Sequence, residues 1–145
     1  MIAPLFLALS FQSQAQIKNP AHWSYTVQKA TGGQYELRFN LSLDKGWHIW
    51  AMKPGGDGFQ IVPSFNFSGN KAAKLQGPVK ESGKLVSKEM EGVEGIVNYY
   101  SNKVTYTQLV KAQPGTVIKG THHFQVCNDE MCLPPKDLDF SFTIK

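Results

Sequence analysis

Apolar and polar residues alternate with period two through much of this chain. Tyr35, Leu37, Phe39, Leu41 and Leu43 stand against Glu36, Arg38, Asn40 and Ser42, and the same rhythm returns at Phe140, Phe142 and Ile144. Successive side chains of a strand point to opposite faces, so each run buries one face and wets the other. The pattern predicts strands over 23–28, 35–43, 47–52, 64–68, 84–88, 97–100, 104–111, 117–127 and 138–144. Turn residues punctuate them at Gly32-Gly33, Asp44-Lys45-Gly46, the glycine-rich stretch 54–58, Ser101-Asn102 and Pro114-Gly115. With no convincing amphipathic helix among these short runs, the expected architecture is an all-β antiparallel sandwich.

Composition narrows the class. A chain of 145 residues, 41% hydrophobic and 12% aromatic, can build one domain around one core. The net charge of +4 rests on fifteen basic residues, all lysine except Arg38, and they form no run. Nucleic-acid binders favour arginine for its bidentate contacts, so this balance argues for solubility and against a nucleic-acid partner. The apolar stretch Ala3 to Leu9, followed by small residues at Ser13 and Ala15, reads as a signal peptide over 1–15 without its basic start. The mature domain is then expected over 16–145, exported to an oxidising compartment where a disulfide persists. The apolar stretch is too short to span a bilayer.

The chemistry concentrates at Cys127 and Cys132, the only cysteines, separated by Asn128, Asp129, Glu130 and Met131. Closing so short a loop stabilises a fold by only about 2 kcal/mol, so such a bond suits chemistry better than stapling. By strand alternation Cys127 shares the polar face with His123 and Gln125, while Phe124 and Val126 point the other way. The turn-forming loop can bring Cys132 opposite Cys127, and Pro134 and Pro135 should end pairing there, leaving Cys132 near an accessible strand end. Asp129 and Glu130 place two negative charges inside the ring, which disfavours a thiolate and suits a relay better than a free-standing oxidant. A purely structural hairpin disulfide remains the alternative at this level.

The run Phe124 to Pro135 resembles the redox hairpin of the N-terminal periplasmic domain of the DsbD thiol:disulfide interchange family. The similarity extends through 104–110 and 95–103 to Gly46-Trp47-His48-Ile49-Trp50. It implies an immunoglobulin-like β-sandwich with the redox pair at one end. It further implies that Cys132 forms mixed disulfides with partners and Cys127 resolves them, without a cofactor. Electrons would arrive from a thioredoxin-like domain and leave to periplasmic thioredoxin-fold proteins, with the membrane reached only through a fused or separate transmembrane partner. The family's cap loop matches Glu91-Gly92-Val93-Glu94, with Val93 where an aromatic lid is expected and Met90 or Ile96 as substitutes if the register slips. Glu91 falls where an acidic neighbour of the site occurs. The resemblance also puts an aromatic of the Trp47–Trp50 strand beside the sulfurs, and His48 reads as an ordinary polar-face histidine.

Other signals carry less. His122 and His123 are adjacent in a strand and point to opposite faces, so they cannot easily join the cysteines around a metal. The stretch 54–58 lacks the following helix and lysine-serine pair of a phosphate loop. Asn40-Leu41-Ser42 and Asn66-Phe67-Ser68 match the glycosylation triplet but lie within predicted strands. No hydrolase constellation is present in the spacing. The competing function is a secreted β-sandwich used for binding or adhesion, its hairpin disulfide structural. The chain is read as either an excised domain of a larger membrane protein or a stand-alone relay.

Overall fold

The computed structural model describes residues 18–145, so the expected signal peptide lies outside the described residues. Among the described residues nine strands form: β1 (Ala21–Lys29), β2 (Gln34–Leu43), β3 (His48–Gly55), β4 (Ser64–Asn66), β5 (Lys74–Met90), β6 (Val93–Lys111), β7 (Val117–Phe124), β8 (Val126–Cys127) and β9 (Lys136–Thr143). They make two antiparallel sheets. The larger runs β1-β2-β6-β3-β8 with β5 also paired to β6, and the smaller runs β4-β7-β9. This is the antiparallel β-sandwich that the alternation predicts, immunoglobulin-like as the resemblance implies.

The inner faces meet in one aromatic core. Leu37, Phe39 and Leu41 of β2 and Tyr106 and Val110 of β6 come from the larger sheet, and Ile118, Phe140 and Phe142 from the smaller. Phe39 sits at the centre, with Phe65, Phe140 and Phe142 meeting it edge-on at 4.7, 4.9 and 5.1 Å between ring centres. Such tilted pairs add about 0.5–1.5 kcal/mol each beyond the area they bury. At Gly120 a side chain would strike the Asn66 carbonyl and the Phe140 ring, which is why glycine stands where the end of β4 meets β7.

Three sequence expectations need correction. Ser101-Asn102 is not a turn between strands but lies inside β6, where Asn102 takes φ 80°. The chain absorbs the irregularity locally: β5 pairs Gly83 with Val104 and then Leu85 with Tyr100. The short strand expected over 84–88 is the end of a seventeen-residue β5, whose polar first half carries no alternation to announce it. The strand expected over 117–127 is two strands in different sheets, because β7 pairs β9 whereas β8 pairs β3. The chain changes sheet at Gln125, and that change positions the cysteines.

Candidate redox site

Phe124 closes the β7–β9 ladder opposite Lys136. The segment between them, 125–135, is an excursion from the smaller sheet that docks on the larger one. Its first strand, β8, adds to the edge of β3 with Val126 opposite Ile49 and Cys127 opposite His48. The segment then turns on itself. Asn128 donates its backbone N–H to the Met131 carbonyl at 2.8 Å, and Leu133 donates to the Val126 carbonyl at 3.0 Å. The Asn128 side-chain oxygen accepts the N–H groups of Glu130 at 2.9 Å and Met131 at 2.8 Å, fixing the turn. Gln125 braces the neck, its side-chain amide donating to the Leu133 carbonyl at 3.1 Å.

Those two backbone bonds flank Cys127 and Cys132, which face each other as a non-hydrogen-bonded antiparallel pair. This is the closer of the two cross-strand geometries, and the Cα atoms lie 4.0 Å apart. The sulfurs are bonded. Their environments differ sharply: Cys127 is 2% exposed, whereas Cys132 is exposed beside Met131. The expectation that Cys127 lies on a polar face is therefore corrected. Alternation holds only within one sheet, and the switch at Gln125 carries Cys127 under cover while Cys132 stays outside.

The face of the larger sheet turned away from the core carries a second apolar cluster. Trp50, Val97 and Tyr99 form it, with Val86, Met90 and Val93 packed against them. The His48 ring lies 5.0 Å from Trp50 and 4.9 Å from Tyr99. His48 is 5% exposed, and its Nε2 is buried without a hydrogen-bond partner. Burial holds the His48 pKa below the ordinary histidine value; Asp129 pulls it up and Lys88 pushes it down. The Lys88 ammonium sits over the Tyr99 ring at 5.7 Å, and its pKa is raised first by a hydrogen bond with the Tyr99 hydroxyl.

The structure gathers some of the sequence candidates and disperses others. Asp129 and Glu130 lie exposed in the redox turn. Trp50 joins the outer cluster, but Trp47 packs into the main core with Ile49 and Ala51, on the opposite face of β3. Glu91 is exposed at the tip of the β5–β6 hairpin beside Gly92, whose φ of 80° suits the tight turn. Val93 and Met90 both cover the outer cluster, while Ile96 is exposed. Of the histidines set aside as ligands, His122 is in the core and His123 is bonded to Asp137 at 2.7 Å. Among the described residues no group of three or more metal-ligating side chains forms. Sequence reasoning missed His48, Tyr99 and Lys88. The available signal was that β3 is apolar on both alternations around His48, which marks a strand covered on both sides.

A β-sandwich that bonds a buried cysteine to an exposed one at a strand-end turn has an arrangement suited to thiol–disulfide exchange. The chain belongs to the family described as thiol:disulfide interchange protein DsbD, N-terminal, whose family model matches residues 13–144. Two solved structures share the fold. The N-terminal periplasmic domain of ScsB from Proteus mirabilis aligns with TM-score 0.64 at 14% identity, over 94% of this chain and 49% of that one. The chain thus spans about half the length of that domain. The Neisseria meningitidis DsbD N-terminal domain in the reduced form aligns with TM-score 0.54 at 19% identity, over 83% of this chain and 84% of that one. No curated protein sequence matches the chain.

Proposed function

We propose that this domain is a periplasmic electron relay in which Cys132 meets partners and Cys127 resolves the resulting mixed disulfides. The observation that carries the reading is the unequal exposure of the two sulfurs. A thiolate must approach a disulfide in line with the bond, and only Cys132 offers its sulfur to a second protein. A thioredoxin-like donor thiolate attacks Cys132 Sγ, the Cys127 sulfur leaves, and the donor's second thiol closes its own disulfide. The domain is left with two thiols. Reduced Cys132 then attacks the disulfide of a thioredoxin-fold client, and Cys127 attacks Cys132 Sγ to release the client reduced. Two electrons and two protons pass in each cycle, and no cofactor is required.

The same reading places a signal peptide over 1–15 and the redox domain over 16–145. Asp129 and Glu130 flank the exchanging sulfur, and the hairpin tip with Glu91 and Val93 edges the partner surface around Trp50. Two measurements test it. Titration against a dithiothreitol or glutathione buffer should give a reduction potential above about −300 mV, the usual upper limit for structural disulfides. Cys127→Ser should accumulate a mixed disulfide with a thioredoxin-fold client, and Cys132→Ser should abolish exchange. A much lower potential would favour a binding module with a structural bond, and trapping through Cys127 in the Cys132→Ser protein would reverse the roles.

A further inference from the structure

We propose that His48 is the proton acceptor that converts the buried Cys127 thiol to a thiolate during the resolving step. The inference rests on the relay reading and adds the residue that makes its hidden half work.

The need for such a group follows from burial. Cys132 can lose its proton to solvent, but Cys127 is 2% exposed. Only the thiolate is nucleophilic, and an apolar surround raises a thiol's pKa rather than lowering it. The sulfur that must attack Cys132 is therefore the one least able to ionise unaided. A base within the fold, on the same face of the sheet, removes the difficulty.

His48 meets those conditions by register. Because Cys127 and Cys132 are a non-hydrogen-bonded pair, the Cys127 backbone groups point the other way, toward β3, where the residue directly opposite is His48. Directly opposed residues project on the same face, so the imidazole and the thiol are cross-strand neighbours. The imidazole is 5% exposed and its Nε2 has no partner among the described residues. Trp23 Nε1 and His122 Nδ1 are also buried without partners, but the unpaired nitrogen of His48 belongs to a ring directly across from a sulfur, where a proton received in the reduced protein accounts for it. The rings of Trp50 and Tyr99 pack against the imidazole. Burial keeps it neutral near pH 7, the state a base requires. The charged or titratable groups that face it are Asp129 from the redox turn, Lys88 from β5 and Tyr99 from β6. Asp129 is exposed and steadies the imidazolium once formed, while Lys88 opposes it.

The step balances. In the mixed disulfide, His48 takes the proton from Cys127 Sγ, the thiolate attacks Cys132 Sγ, and the client sulfur leaves with the bonding pair. The imidazolium then gives up its proton to the departing thiolate or to water. In the reducing direction the Cys127 thiolate displaced by the donor is protonated through His48, which draws that proton from water or from the donor's second thiol.

The test follows ring closure in the reduced domain after reaction with oxidised glutathione, using acid quench and mass spectrometry between pH 5 and 9. The wild type should close at a rate that levels off above the His48 titration, because the base is then fully available. In His48→Gln the rate should fall about a hundredfold at pH 7 and keep rising with pH, as unassisted thiol ionisation requires. A variant with the wild-type profile, or with a loss uniform across pH, would make His48 structural. Loss of the plateau in Asp129→Asn, with His48→Gln unaffected, would hand the role to Asp129. If the wild type never closes, the relay reading itself fails and this inference with it. A second measurement needs no substitution: the His48 imidazole resonances of the wild type should titrate differently in oxidised and reduced protein, and indifference to reduction would overturn the proposal.

Discussion

Two histidines are buried on opposite sides of the larger sheet, and they are treated differently. His122, 1% exposed, lies in the aromatic core with its Nε2 bonded to the Tyr25 hydroxyl at 2.7 Å, and rings of Trp23, Phe39 and Phe65 surround it. His48 lies in the outer cluster with its Nε2 free, directly across from a sulfur. Burial lowers both pKa values, His122 to about 4. The difference is in what each ring is next to: aromatic side chains and one hydroxyl in the first case, a redox centre in the second. Burial alone therefore does not mark a functional histidine. Nor does an unpaired nitrogen, since the Nδ1 of His122 is also buried without a partner; the sulfur directly across the strand does.

The largest expected effect comes from emptying the core side of this contrast. His122→Ala removes a packed ring and orphans the Tyr25 hydroxyl, so it should cost about 3–5 kcal/mol in a denaturant titration, as other buried rings do. Exchange by the protein that remains folded should be unchanged. A loss under about 1 kcal/mol, within the range of ordinary surface substitutions, would erase the distinction between the two sites.

Acid should reveal the same ring. The unfolded chain takes up a proton at His122 near pH 6.5, while the fold refuses it until about 4. Stability present above pH 6.5 is therefore lost as pH falls toward 4, by roughly 3 kcal/mol from this group. His48 contributes in the same direction. Unfolding free energies at pH 7 and 4.5 check this, and His122→Phe should flatten most of the slope. If the slope persists in that variant, another group carries it.

The smallest effect probes the edge of the outer cluster. Val93→Phe puts a larger ring on the hairpin tip and should slow reduction of the disulfide by dithiothreitol a few-fold. An unchanged rate would show that the tip covers Trp50 and Tyr99 without reaching the sulfurs.

The strands with one wet face were legible because their alternation is clean, as in β2 and β9. Those covered on both faces or on neither were not. β3 is buried through His48, Ile49, Trp50 and Ala51, so its polar member passed for a surface residue. The first half of β5 is largely exposed and reads as loop, and Asn102 looks like a turn because asparagine tolerates positive φ. The cysteine pair was legible from spacing and turn chemistry. The inversion of exposure at Cys127 was not, since period two continues unbroken through Phe124 and Val126 while the chain itself moves from one sheet to the other. That move is a tertiary event, dictated by the free edge of β3 and carrying no local signature.

The backbone bonds on either side of the cysteine pair have a consequence for turnover. Because Asn128 N–H to Met131 and Leu133 N–H to Val126 hold the two Cα atoms together, the covalent link is not what keeps the turn shut. Neither of these bonds runs through the sulfurs, so cutting the disulfide is expected to open no hinge. Under the relay reading the domain resembles a socket whose contacts stay aligned whether or not current is flowing: the expected reorganisation between redox states is small, and each cycle would begin from the geometry in which the last one ended.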